Sequence, residues 1–456
     1  MSEREFDVVV LGAGPAGEVC AGRLAEGGLS VALVESDLIG GECSYYACMP
    51  SKALLRPGEL LEEARRVPGA AEAVVGELDA QAVLDRRDEV IHDLDDSGQL
   101  PWLEKRGIEL LRGDGRLVGE KRVAVGDDTL LARRAVIIAT GTTAAKPPID
   151  GLDAIRSWSN REGTTSKQIP ASMTVLGGGP VGAELAQAWS TLGTKVTLVE
   201  GAERLLPREE PFAGEQVAES LRDRHGVDVR VGAKVERTEE ATAGVAIEIE
   251  GGNRVESAEL LVAVGRRPRV EGIGLDSVGI EADGYLETDD RLRVGGRDWL
   301  YAIGDVNGRA LLTHMGKYQA WVAAENLLGR GTLAAAEAAG SPRVTFTDPQ
   351  VAAVGKTLSE AKEAGIDAAA TDVATDATPG ASFQGKGTGG TTRIVVDEAR
   401  ETIVGATFVG FETADFLHAA TVAIVGEVPL DRLRHAIPAY PTRSEVWLKL
   451  IEAYGL

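Results

Sequence analysis

A glycine pattern occurs twice in this chain, with the same flanking elements and at a constant offset. Phe6-Asp7-Val8-Val9-Val10-Leu11 runs into Gly12-Ala13-Gly14-Pro15-Ala16-Gly17, and Met173-Thr174-Val175-Leu176 runs into Gly177-Gly178-Gly179-Pro180-Val181-Gly182. Each apolar run reads as a buried parallel strand, and each glycine segment opens a helical stretch. A second strand follows in both copies, ending on Glu35 in one and on Glu200 in the other. The matching positions, 12 with 177, 14 with 179, 17 with 182 and 35 with 200, are all 165 residues apart. A lone G-x-G-x-x-G is weak evidence. Strand, glycines, helix and an acid about 20 residues on make up the whole context of a dinucleotide site. The glycines let backbone N–H groups and the helix N-terminus approach a pyrophosphate, and the acid accepts from a ribose 2′-hydroxyl. Two strand–helix turns that bind nothing explain two copies in register poorly. The chain is expected to bind two dinucleotides.

At 456 residues the chain exceeds one ordinary core, so two to four domains are expected. A formal charge of −23 disfavours nucleic acid and anionic membranes as partners. No apolar run is long enough to span a membrane, and Met-Ser-Glu-Arg-Glu is no signal-peptide core, so a cytoplasmic protein is expected. Val136-Ile137-Ile138-Ala139-Thr140-Gly141 reads as a strand ending in a tight turn, and Lys146-Pro147-Pro148-Ile149 as a linker. Leu261-Val262-Ala263-Val264-Gly265-Arg266 closes the second nucleotide unit, and Trp299-Leu300-Tyr301-Ala302-Ile303-Gly304-Asp305 ends another strand at a Gly-Asp. An Ala-rich stretch over 333–340, with Ser341-Pro342 after it, marks a boundary. Beyond it, runs such as Arg393-Ile394-Val395-Val396-Asp397 and Gly405-Ala406-Thr407-Phe408-Val409-Gly410 read as an antiparallel sheet with flanking helices.

The chain has three cysteines, and two of them, Cys43 and Cys48, are five positions apart just past the first fingerprint. Few cysteines fit a reducing compartment, where a close pair is more often catalytic or metal-binding than a staple. Gly40-Gly41 gives a tight turn, and the stretch through Lys52 reads as the start of a helix, whose N-terminus favours thiolate over thiol. Positions i and i+5 lie about 140° apart on an ideal helix, so the first turn must be distorted to join them; Pro50 is compatible with that. Zinc would want four ligands, and no nearby Cys or His supplies the rest. Cys20, inside the first fingerprint helix, reads as an inert buried thiol. His92, His225 and His418 sit in ordinary contexts and are assigned no role.

Over essentially its whole length the chain resembles the flavoprotein disulfide reductases, the family of dihydrolipoamide dehydrogenase, glutathione reductase and mercuric reductase. The resemblance implies an α/β fold with two Rossmann-like dinucleotide-binding domains and a C-terminal α+β dimerisation domain. FAD would occupy 1–150 and the central part 271–340, NAD(P)H would occupy 151–270, and 341–456 would form the interface. By the same resemblance Gly12, Gly14, Gly17, Glu35, Thr140, Gly141, Gly304, Asp305 and His314 would hold FAD. Gly177, Gly179, Gly182, Glu200 and Gly265 would hold the nicotinamide nucleotide, and no metal is implied. Cys48 would be the thiol nearest the flavin and Cys43 the one that attacks substrate. Lys52 and Glu184 resemble the family's charge pair, where a fixed cation stabilises reduced, anionic flavin. Phe346-Thr347-Asp348-Pro349-Gln350 resembles the start of the dimerisation domain, which implies a homodimer with a shared active site. An acid at 200 favours NADH over a 2′-phosphorylated nucleotide; Arg204, four residues on, keeps NADPH possible.

One segment departs from the family. Where its disulfide reductases carry His-Pro-Thr-x-Ser-Glu, this chain reads Tyr440-Pro441-Thr442-Arg443-Ser444-Glu445. Tyr440 takes the place of the histidine that, held by the glutamate, is the attacking cysteine's acid–base partner; His435 is out of register and reads as structural. An imidazole takes and returns a proton at neutral pH, whereas a phenol is a poor base unless strongly shifted. Arg443 would favour a phenolate if it faced Tyr440. Mercuric reductases are similar in carrying Tyr here, but this chain ends Glu452-Ala453-Tyr454-Gly455-Leu456 without a cysteine pair to hand Hg²⁺ inward. Tyr45 and Tyr46, between the cysteines, either line an aromatic substrate site or pack the redox helix. The expected enzyme passes electrons from NADH through FAD to the Cys43–Cys48 disulfide and on to a small disulfide, with Tyr440 and Glu445 of the partner subunit managing protons. The alternatives are a quinone, dye or metal-ion reductase and a non-catalytic redox sensor.

Overall fold

Val8, Val9 and Val10 are fully buried and Leu11 nearly so, which requires apolar cover on both faces of the strand they form. That strand, β1 (Glu3–Leu11), lies mid-sheet. It pairs in parallel with β2 (Val31–Glu35) on one side and with Asp128–Ile138 on the other. The sheet continues to Glu109–Arg112 beyond β2, and to Arg122–Val125 and Gly115–Gly119 beyond Asp128–Ile138. Leu300–Ala302 also joins Asp128–Ile138 in parallel. Coordinates come from a computed structural model that describes residues 3–242, 244–337 and 340–456. They divide into two compact units, the first made of Met1–Pro50, Asp88–Ala145 and Arg266–Glu337, the second of Ser51–Arg87, Lys146–Gly265 and Ala338–Leu456. Two residues of the expected Ala-rich boundary, 338 and 339, lie outside the described residues.

In the first unit, helix α1 (Pro15–Glu26) begins with proline at its first position, where the missing N–H costs no hydrogen bond. Its apolar stripe, Cys20, Ala21 and Leu24, packs with Ala320, Ala323 and Ala324 of the helix Thr313–Leu327. The other face of the sheet is closed by Val270, Ile273, Leu275 and Val306. Near the cysteines the chain forms two helices where one distorted helix was expected. Helix α2 (Gly41–Tyr45) ends at Tyr46, whose backbone (φ −132°, ψ 2°) leaves the helical region, and α3 (Cys48–Arg66) starts two residues on. The break removes the constraint that holds positions i and i+5 about 140° apart on one helix. Pro50 sits in the first turn of α3, where backbone N–H groups have no helical acceptor to lose.

The second unit repeats the pattern with β3 (Ser172–Leu176), α4 (Pro180–Thr191) and β4 (Lys195–Val199). Its all-parallel sheet runs Asp228–Arg230, β4, β3, Glu259–Val262. A three-stranded antiparallel sheet over 235–257 adjoins it. The C-terminal part is α+β. Five antiparallel strands run in the order Arg343–Thr345, Gln350–Gly355, Thr402–Gly410, Thr391–Asp397, Ala368–Ala374. Helices Leu417–Val425 and Val446–Tyr454 cover this sheet through a core centred on Phe408, Phe416 and Trp447. Among the described residues no helix is long and apolar enough to cross a membrane.

Candidate active site

The two fingerprint turns are built alike. Gly12 has φ +102° and Gly177 φ +108°, and a Cβ at either would stand 2.4 or 2.5 Å from the carbonyl oxygen of Ala139 or Ala263. A Cβ on Gly17 would meet the Gly12 oxygen at 1.9 Å, and one on Gly182 the Gly177 oxygen at 1.8 Å. These four glycines are needed by the chain itself. Gly14 and Gly179 are different. Their φ values, −68° and −72°, suit any residue, and a Cβ would meet nothing within 4 Å. What a Cβ there would fill is open space over the helix N-terminus, a position at which a pyrophosphate would fit.

The acids agree with this. Glu35 accepts the Ala13 N–H at 2.6 Å and the Asp37 N–H at 2.8 Å. Glu200 accepts the Gly178 N–H at 2.5 Å and the Ala202 N–H at 2.7 Å. Each carboxylate is oriented by one bond per oxygen and keeps lone pairs for a ribose. The residues present fit a dinucleotide at both turns.

Further residues expected at the first nucleotide lie in the first unit. Asp305 accepts from the Thr142 hydroxyl at 2.9 Å, and burial holds its carboxyl above the usual range. Gly304 (φ +73°) donates its N–H to Gln319 at 2.7 Å, and Gly141 has φ +69°. The Thr140 hydroxyl donates to the Arg269 carbonyl at 2.7 Å, and exposed His314 is the second residue of its helix. In the second unit Gly265 is exposed with φ +138°.

Cys43 and Cys48 face each other across the helix break, hydrogen-bonded and not joined by a disulfide. The Cys43 thiol is held above its usual range, first by its hydrogen bond with Cys48 and then by burial, with Thr313 and Lys317 pulling the other way. The Cys48 sulfur lies 3.5 Å from the hydroxyl of Thr313, the first residue of its helix. Cys43 opens on a cavity of about 320 Å³ whose walls include Pro15, Glu18, Met49, Trp102 and Lys317. Tyr45 is 1% exposed and packs, while Tyr46 is half-buried. Glu18 is a residue that sequence reasoning passed over. Burial pushes its carboxyl up to about 7 against the pull of Lys317. An acid in the first turn of a helix is favoured by the helix dipole anyway, so nothing local distinguished it.

Lys52 and Glu184 meet in the second unit. The ammonium lies 2.7 Å from a carboxylate that is 4% exposed, and it sits 4.7 Å from the centre of the Phe346 ring. The second Glu184 oxygen accepts the Phe346 N–H at 2.9 Å. Glu184 is thus a buried, fully engaged partner that fixes the ammonium, and α3 presents Lys52 one turn after Cys48.

The C-terminal segment carries Tyr440 77% exposed, and among the described residues its hydroxyl has no hydrogen-bond partner. Glu445 is buried and accepts the Thr442 N–H at 3.3 Å in a capping box. Arg443 is buried against the rings of Phe411 and Phe416, where desolvation lowers its pKa. Its charge faces those rings and Glu412. His435 is exposed, so it serves no core. Cys20 is fully buried and its thiol is pushed up to about 12, as expected of an inert sulfur. Among the described residues no group of three His, Cys, Asp or Glu is placed to hold a metal ion.

The sequence matches the pyridine nucleotide-disulphide oxidoreductase family over residues 6–326 and that family's dimerisation domain over residues 341–451. A dihydrolipoyl dehydrogenase of Chlorobaculum tepidum is 33% identical over 453 residues, 97% of this chain and 95% of the relative. A mercuric reductase of Staphylococcus aureus is 29% identical over 447 residues, 97% of this chain and 81% of the relative. Among solved structures, the Cu(II) complex of the HOCl-induced flavoprotein disulfide reductase RclA from Escherichia coli matches with a TM-score of 0.87 at 25% identity. That match covers 98% of this chain and 99% of the other. With the duplicated nucleotide turns and the paired thiols, these matches make the chain a member of the pyridine nucleotide-disulphide oxidoreductases, FAD-dependent enzymes that also use a pyridine nucleotide.

Proposed function

We propose that this enzyme takes electrons from NADH and delivers them through the Cys43–Cys48 pair to a small disulfide. The observation that carries the reading is the pair itself: two hydrogen-bonded thiols across a helix break, with Cys43 opening on a cavity. FAD, when bound, would carry the electron pair from the nicotinamide to the cysteines. Gly14 and Glu35 would hold it by pyrophosphate and ribose, with Thr140, Gly141, Asp305 and His314 toward the rest, across 1–150 and 271–340. Gly179, Glu200 and Gly265 would hold the nicotinamide nucleotide within 151–270. Glu200 favours a free 2′-hydroxyl, and Arg204 supports NADH further because its guanidinium donates to the carbonyls of Pro207 and Glu209.

Lys52, oriented by Glu184, supplies a fixed positive charge four residues after Cys48. A homodimer through 341–456 is supported by the dimerisation-domain match and by the exposure of Tyr440, which leaves it free to meet a partner subunit. A cytoplasmic location fits three cysteines that form no disulfide. A second reading, reduction of a soft metal ion, is favoured by two adjacent cysteine sulfurs, since thiolates bind such ions.

The test is anaerobic reduction by NADH followed by reoxidation against small disulfides, quinones and Hg²⁺. At least one disulfide should reoxidise the enzyme, and Cys43→Ser should remove that reaction while sparing quinones. Disulfide reduction that survives Cys43→Ser would sink the reading.

A further inference from the structure

Cys43 must lose a proton to attack a disulfide, and its surroundings work against that. Its thiol is raised by the Cys48 hydrogen bond and by burial. At the family's histidine position stands a phenol, a poor proton acceptor at neutral pH. Yet one wall of the cavity that Cys43 opens on carries a carboxyl, Glu18, in the first turn of the fingerprint helix. Lys317, on the helix that also presents Thr313 to Cys48, lines the same cavity. Its ammonium favours the ionised forms of both Cys43 and Glu18, so one cation serves both groups.

We propose that the Glu18 carboxyl is the proton acceptor and donor for the Cys43 sulfur, within one chain. The proposal rests on the disulfide-reductase reading above. The Glu18 carboxylate takes the Cys43 S–H proton as the sulfur's electron pair bonds to one sulfur of the substrate disulfide. The substrate S–S bond breaks, its electron pair leaves with the second sulfur, and the Glu18 acid returns the proton to that thiolate. Cys48 then attacks the Cys43 sulfur, and the other half of the substrate leaves carrying the Cys48 proton. The cysteine pair is oxidised to a disulfide and the substrate is reduced to two thiols.

The charges around Glu18 suit this work. Burial raises its carboxyl to about 7, Glu35 and Asp96 push the same way and Lys317 opposes them, while the Glu18 charge in turn helps to raise the Tyr45 phenol. A carboxyl titrating there is available in both forms at neutral pH, as a group must be to take and return a proton.

The holoenzyme with Cys48→Ser leaves Cys43 as the one reachable thiol, because Cys20 is fully buried. Its alkylation by iodoacetamide should rise with pH through a limb near 7, following Glu18. Adding Glu18→Gln should remove that limb, and Glu18→Asp should restore part of it. Lys317→Met, at an exposed position, should move the limb to higher pH, since losing the cation disfavours the carboxylate. In the enzyme with both cysteines, Glu18→Gln should slow NADH-driven disulfide reduction about 100-fold, near the low end of what acid–base help supplies. A Glu18→Gln profile superposing on its parent, or a limb unmoved by Lys317→Met, overturns the proposal. If the limb behaves as expected but no disulfide is reduced, the substrate reading fails and the proton role stands. If disulfides are reduced with an unchanged Glu18→Gln profile, the substrate reading stands and the proton role fails.

Discussion

Helices α1 and α4 follow the same glycine turn at the same 165-residue offset, yet they place their acid one residue apart. Glu18 in α1 corresponds to Ala183 in α4, and Val19 corresponds to Glu184. One residue is about 100° around a helix, so the two carboxyls leave the same turn toward different surroundings. Glu184 is sealed in with Lys52 and the Phe346 N–H, an environment that keeps a buried charge paired. Glu18 lines a cavity, and burial outweighs its nearest cation, so its carboxyl stays titratable near neutrality. A duplicated backbone device thus carries two kinds of carboxyl, one that holds a cation still and one that can exchange a proton.

The likeness of the turns is the first thing to break. Gly17→Ala and Gly182→Ala each drive a Cβ to within 2 Å of a backbone oxygen, and each should cost about 3 kcal/mol or more of stability, read as a lowered melting temperature. Gly14→Ala and Gly179→Ala meet no protein atom within 4 Å and should leave melting nearly unchanged. Gly14→Ala should instead release FAD on gel filtration, and Gly179→Ala should weaken NADH binding more than tenfold. Equal melting losses at all four positions would show that the glycines serve only the chain.

The contrast between the acids can then be sharpened by pH. In the folded chain Glu18 is raised from 4.5 to about 7, so the native state binds the extra proton in that window. Stability contributed there is present below about 4.5 and is lost as pH rises through 7, by at most about 3 kcal/mol. Glu18→Gln should therefore melt above the parent at pH 8, with the gap closing toward about pH 5.5; a gap independent of pH would contradict the buried-carboxyl account. Lys52→Met should cost about 2 kcal/mol, less than for a fully buried pair because Lys52 is partly exposed. The Lys52→Met, Glu184→Gln double variant should recover part of that loss in thermal melts.

The nucleotide turns were legible from residue order because their cause is local. A strand, a positive-φ glycine, a close-packed glycine and a terminal acid all act within about 25 residues of one another. The α+β character of the C-terminal part was readable for the same reason, from alternation along single strands. The cysteine segment was legible as chemistry but not as geometry. Spacing suggested one strained helix, whereas packing of Tyr45 into the core ends α2 and lets α3 begin afresh at Cys48. Arg443 shows the limit from the other side: its sequence neighbour is Tyr440, but its contacts are Phe411 and Phe416.

Residue order alone set the two nucleotide units, the thiol pair and the Tyr440 substitution, because each depends on neighbours along the chain. Which carboxyl is sealed and which stays open was settled by folding. Glu184 is joined to Lys52, 132 positions away, and Glu18 shares its cavity with Lys317 from a helix nearly 300 positions on. A carboxyl's charge depends on the water removed and the ions brought near it, and both are properties of the packed chain.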